Sequence, residues 1–176
     1  GDYVAPDYLS LFNGTSIEAG PKYVFKSSTY GGTNAALDPI VKALIDEMIA
    51  QGLLQNNGQR NNEFYLSKLT AGSDNTTSGV FARLAGPWTG YEGHLTTGCW
   101  VYGEPGAGLI VRGSVLGQDG PPTDQTAKPL ADGQWFHVQR NQQHNSPGET
   151  GTTYTTSNVQ IEATPGSVFY IALPFA

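Results

Sequence analysis

The chain has 176 residues, of which 23 are Gly and 11 are Pro, with 14% charged residues and a formal net charge of −6. The charged share lies well below the ~25% of an ordinary globular domain, and nine Lys and Arg scattered through an acidic chain form no stripe that could displace phosphate counterions, which argues against nucleic acid as a partner. A hydrophobic fraction of 38% can build one packed domain, and no apolar run approaches the ~20 residues of a membrane helix, so no membrane insertion is expected.

No basic segment followed by an apolar stretch opens the sequence, so no signal peptide is expected in it. The single cysteine, Cys99, cannot form an intrachain disulfide and cannot supply a thiolate zinc cluster.

Residues 1–37 read as an extended leader. Asp2 to Phe12 is aromatic and interrupted by Pro6, Asn13-Gly14 is a turn signal, and Tyr23 to Lys26 suits a short strand. Its apolar content lacks a period, which predicts packing on the domain that follows or on a neighbouring chain.

Residues 38–54 read as one amphipathic helix. Asp38 is suited to the N-cap, Pro39 to the first helical position and Gly52 to the left-handed C-terminal turn. Val41, Leu44 and Met48 form a stripe that Leu37 extends and Ile40, Ile45 and Ile49 widen, while Lys42, Asp46 and Glu47 face water. Two placements follow: packing on the chain's own sheet, or a short parallel bundle between identical chains that serves as a trimerisation element. Under two heptads is too short for a coiled coil on its own.

Residues 55–176 read as β throughout. Phe64, Leu66 and Leu69 are candidate inward positions of a loosely alternating strand. Further strands are predicted over 80–84, 97–102, 109–116, 135–140, 159–163 and 168–173, with a Gly- and Pro-rich loop over 117–129. Trp135 and His137 share one strand face and Phe136 and Val138 the other; Trp100 and Trp135 are expected in the core. Short punctuated strands without βαβ alternation predict an all-antiparallel β-sandwich or jelly roll preceded by the helix.

No catalytic constellation stands out. His94, His137 and His144 lack metal-ligand spacing, no Gly-x-Ser-x-Gly turn exists, and Cys99 has no basic neighbour to activate it. Glu92, Glu104, Glu149 and Glu162 could in principle pair across a cleft, but no spacing singles out two of them. Gly103 to Gly108 lacks the Lys-Ser/Thr of a phosphate loop and reads as a turn. The expectation is a non-enzymatic domain with no cofactor and no metal.

Aromatic and amide-rich loops remain. Trp88, Tyr91 and Glu92 lie in a Gly-punctuated segment, Tyr102 lies near a turn, His144 ends an amide run and Tyr154 follows a Thr-rich stretch. Aromatic planes stack on the C–H faces of sugars while amides and carboxylates bind hydroxyls, so these six residues are the candidate glycan contacts.

The order of landmarks is Gly98-Cys99-Trp100-Val101-Tyr102, then Ala131-Asp132-Gly133-Gln134-Trp135-Phe136-His137-Val138, then Asn158-Val159-Gln160-Ile161, and last Gly166-Ser167-Val168-Phe169-Tyr170-Ile171-Ala172-Leu173-Pro174. It resembles the jelly-roll sandwiches of carbohydrate-binding modules and the C-terminal domains of phage tailspikes and tail fibres. Ser28-Thr29-Tyr30 followed by Leu44 to Leu54 is similar to helices preceding such domains in phage structural proteins. The resemblance implies a virion-borne or extracellular homotrimer that recognises a bacterial surface polysaccharide without cleaving it. The alternatives it leaves open are a carbohydrate-binding module of a secreted polysaccharide-degrading enzyme and a purely structural assembly module.

Overall fold

A computed structural model describes residues 5, 9–25, 37–53, 62–74, 78–87, 93–118, 126–144 and 154–175. Within it the closing strand β11 (Val168–Phe175) sets the layering. Side chains alternate across a strand. Phe169 and Ile171 therefore turn to one face and Tyr170 and Ala172 to the other, and all four are at most 5% exposed. A strand buried on both faces needs an apolar layer on each side, and the chain builds both.

The first layer is a β-sandwich. One antiparallel sheet runs in the order β1 (Leu9–Phe12), β4 (Ser78–Pro87), β10 (Tyr154–Ala163), β6 (Ile110–Arg112), β8 (Ala127–Pro129). The other runs β2 (Ser16–Phe25), β3 (Asn62–Thr70), β11, β5 (Gly93–Gly103), β9 (Trp135–His144), β7 (Ser114–Val115). Between them Leu69, Val80, Val101, Val138, Ile161 and Phe169 form a dry core. The expected mainly-β architecture of two antiparallel sheets is what the chain forms, with one helix among the described residues.

The second layer is α1 (Pro39–Ala50), laid on the outer face of the six-stranded sheet. Asp38 caps it, with Oδ1 accepting from the Ile40 N–H at 2.9 Å, and Pro39 occupies the first turn. At the other end the Leu53 N–H reaches the Met48 carbonyl and the Gly52 N–H reaches that of Ile49, a Schellman closure that requires the φ of +71° at Gly52. Val41, Leu44 and Ile45 are buried against Leu66, Trp100, Trp135 and Tyr170. Met48 and Ile49 pack at its margin. Of the two placements open to the apolar stripe, it takes the chain's own sheet, and the opposite face presents Lys42, Ala43 and Asp46 to solvent.

Several elements differ from the sequence expectation. The leader is not an appendage to the sandwich, because β1 pairs with β4 and β2 with β3, so two strands precede the helix and belong to different sheets. Their signal was hidden by an irregularity in β2, whose register on β3 shifts between Ala19 and Lys22. The extra residue, at Gly20-Pro21, reverses the side-chain alternation. Ile17 consequently packs toward the inter-sheet core and Tyr23 toward the helix.

The run 109–116 is likewise two strands. β6 pairs with β10 and β8, whereas β7 pairs with β9 in the opposite sheet. The chain crosses between sheets at Gly113, where a Cβ would stand 3.2 Å from the Gln139 carbonyl and 3.3 Å from Val159. Within the predicted Gly/Pro loop, residues 127–129 form β8. The three candidate inward residues of β3 divide between layers: Leu69 faces the sandwich core, Leu66 and Phe64 the helix.

Candidate functional site

Strand registers place the predicted ligand segments. β4 ends at Pro87 and β5 begins at Gly93, the residues flanking 88–92. Gly93 pairs with His144, the last residue of β9, and Pro87 pairs with Tyr154, the first of β10. The ends of two strands from each sheet therefore carry the chain into and out of segments 88–92 and 145–153 at one end of the sandwich. Trp88, Tyr91 and Glu92 themselves lie outside the described residues, as do Asn145 to Thr153. His144 and Tyr154 are placed by their backbone pairing.

Tyr102 does not belong to that group. It sits at the far end of β5, nine positions from Gly93, which is about 30 Å at the rise of an antiparallel strand. Its ring packs at 5.4 Å from Trp135 and 6.2 Å from Tyr170, half-buried in the sheet–helix layer. Sequence reasoning placed it at the end of a strand near a turn; it lies in that strand, paired with both Trp135 and Tyr170, and not beside the loops. Trp100 and Trp135, expected as core, are 3% and 5% exposed, in the layer under the helix.

The titratable groups singled out by the sequence are held by structural partners. The Tyr170 hydroxyl donates to Glu104 Oε1 at 2.8 Å, and burial together with that carboxylate raises the phenol above its ordinary range. Glu162, on the other sheet, accepts from Arg112 Nε at 3.2 Å and from Gln160 Nε2. His137 stacks on Trp100 with ring centroids 5.0 Å apart and planes 14° from parallel, and burial holds its pKa below the usual histidine value. Cys99 is fully buried, and burial pushes its thiol up to about 12. Among the described residues no three His, Cys, Asp or Glu side chains gather where they could hold a metal ion.

The Gly103–Gly108 turn is closed by the chain itself. Asp132 accepts from the Gly106 N–H at 2.7 Å and from the Gly108 N–H at 3.1 Å. Backbone N–H groups turned to a common point attract anions; here the anion is an internal carboxylate.

A feature absent from the sequence reading is an open cleft of about 810 Å³ between α1 and the start of β9. The helix contributes Ala43 and Glu47, and its C-cap Gln51 continues their row at i, i+4 and i+8. Leu116, Gln118, Gln134, Trp135 and Phe136 complete the lining, the Phe136 ring itself packing toward the inter-sheet core. Gln51 Nε2 donates to Glu47 Oε1 at 2.7 Å. The polar face of a helix read alone looks merely solvated, so the signal that could have found this site was the small Ala43 in line with Glu47 and Gln51.

No protein-family model matches the chain, and no curated protein matches it.

Proposed function

We propose that the chain is a non-catalytic glycan-binding module built on a β-sandwich, displayed on a phage tailspike or tail fibre and directed at a bacterial surface polysaccharide. The observation that supports it is the pair of registers Gly93↔His144 and Pro87↔Tyr154, which bring the strand ends flanking the aromatic segment 88–92 and the amide run 141–145 to one end of a rigid scaffold. Loops held by such a scaffold are the usual place for recognition. In this reading Trp88 and Tyr91 stack on sugar faces, and Glu92 and His144 bind hydroxyls with Tyr154 beside them.

A single sugar site of this kind binds in the millimolar to micromolar range, so display in several copies, as in a homotrimer, raises avidity without new contacts. One observation favours a second reading. The apolar stripe of α1 is covered by the chain's own sheet and so is not free to register three chains. That suits a monomeric carbohydrate-binding module of a secreted enzyme. Light scattering at micromolar concentration separates the two, a trimer supporting the fibre reading and a monomer the enzyme-borne module. Screening the labelled chain against an array of bacterial polysaccharides tests what both share. Selective retention by one glycan class is expected; no retention by any glycan, in monomer or oligomer, would remove the reading.

A further inference from the structure

The cleft between α1 and β9 is a built feature. Its helical wall cannot drift, because the Trp135 indole is bonded to the first turn of α1 and the Val41–Leu44–Ile45 face is locked into the layer beneath. Its opposite wall is a hydrogen-bonded turn, in which the Leu116 N–H donates to the His137 carbonyl at 2.9 Å and the Gln118 N–H to that of Val115 at 3.1 Å. β7 ends at Val115 opposite Val138, so it stops short of Trp135. Backbone groups alternate along a strand; those of Trp135 therefore lie on the same side as the His137 carbonyl, along the edge beyond the end of β7. Leu116, 38% exposed, is one of few large apolar side chains left at the surface among the described residues, and it faces this cleft.

The chemistry of the lining narrows the ligand. Three amides, Gln51, Gln118 and Gln134, offer donors and acceptors in equal number, and Glu47 adds an oriented carboxylate. Among the described residues that line it there is no Lys or Arg to pair with a phosphate, sulfate or uronate. Leu116, Ala43 and the edge of Trp135 supply apolar surface beside these amides, so the lining is mixed rather than wholly apolar. An uncharged molecule with alternating hydroxyls and C–H patches matches this set, and the volume lies within the ~300–1,000 Å³ of small-ligand sites.

We infer that this cleft is a second binding site, separate from the strand-end loops, and that it takes a neutral oligosaccharide. Gln51 and Gln134 clasp the hydroxyls from opposite walls, Glu47 accepts a further hydroxyl, and Leu116 meets a C–H face.

The test is a chemical-shift titration of the intact ¹⁵N-labelled chain with neutral gluco-, manno- and galacto-oligosaccharides at millimolar concentration. At least one should move the side-chain amide signals of Gln51, Gln118 and Gln134 together with the Trp135 indole signal. Gln51→Ala with Gln134→Ala should weaken that binding about tenfold or more, and Ala43→Trp, which fills the cleft from an exposed helical position, should abolish it; both should melt as the parent does. Trp88→Ala should leave these shifts in place, whatever it does at the strand ends. Absence of shifts with every neutral sugar, or shifts indifferent to the cleft variants, would overturn the inference. So would shifts that vanish with Trp88→Ala, which would assign them to the loops.

Discussion

The indole Nε1 of Trp135 donates to the carbonyl oxygen of Ile40 at 2.9 Å, tying the first residue of β9 to the first turn of α1 across 95 positions of sequence. Through this bond the sheet fixes the angle at which the helix lies, and the helix in turn covers the ring. Trp135→Ala should cost about 3–5 kcal/mol. Trp135→Phe keeps most of the apolar contact and loses the donor, so a smaller loss, about 1–3 kcal/mol, is expected. Urea denaturation of the two variants checks the order; no loss in Trp135→Phe would mean that the hydrogen bond contributes nothing, and equal losses would mean that the packing of the ring adds nothing.

The helix stripe gives a sharper prediction about assembly. Leu44 is fully buried under the chain's own sheet, and burial of such a side chain contributes about 1.5–3 kcal/mol. Leu44→Lys with Met48→Lys should therefore detach the helix or unfold the chain whatever its oligomeric state. Sedimentation combined with a thermal melt reads the result. A folded monomer arising from a dissociated oligomer, with the original melting temperature, would show that the stripe faces other chains.

Asp132 is expected to be worth more than an exposed carboxylate usually is, since it accepts from two backbone N–H groups of the Gly103–Gly108 turn. Asp132→Ala should destabilise by about 1–3 kcal/mol, with Asp132→Asn intermediate because one amide oxygen can still accept. An unchanged urea midpoint in the alanine variant would mean that water replaces the carboxylate without loss.

The buried Cys99 and the half-buried His137 each add a pH dependence to stability. The Cys99 thiol rises from an ordinary 9.0 to about 12 in the folded chain. Below about pH 9 both states keep the proton and the contribution is whole; above it the unfolded chain ionises first, and stability falls by about 1.4 kcal/mol per pH unit until the folded thiol titrates. Cys99→Ala should flatten that limb. His137 is shifted the other way by burial, so its contribution is present above the ordinary histidine pKa and is lost as pH falls toward the folded value. An NMR titration of the ring against a melt series from pH 7 to 4 checks it, and a ring titrating at or above the ordinary value would contradict the stacked, desolvated placement on Trp100.

Legibility in the sequence followed how local each signal was. α1 was readable from Asp38, Pro39 and Gly52, because caps act within a few residues. β9 was readable from its alternation, and β11 as a short continuous apolar run bounded by a turn. Trp135 and Tyr102 illustrate the limit: adjacent to turns by sequence, both are claimed by a layer that includes the distant Tyr170. Likewise β2 lost its period to one extra residue at Gly20-Pro21, and 109–116 looked continuous because nothing local marks Gly113 as the point where the chain changes sheets. Of the six candidate contacts, Tyr102, His144 and Tyr154 take positions from the structure, and only the last two stand at the strand ends. The cleft was invisible because Glu47, Gln118 and Gln134 meet only through the tertiary fold.

Glycan recognition at the strand ends is tested most directly by titration calorimetry of the intact chain with the polysaccharide fragment that an array selects, comparing the parent with Trp88→Ala. A millimolar to micromolar affinity is expected, falling by about tenfold or more in the variant while the melting temperature stays within a degree or two. Equal affinity in the two proteins would contradict it, and so would a collapsed melt, which would place Trp88 in the core.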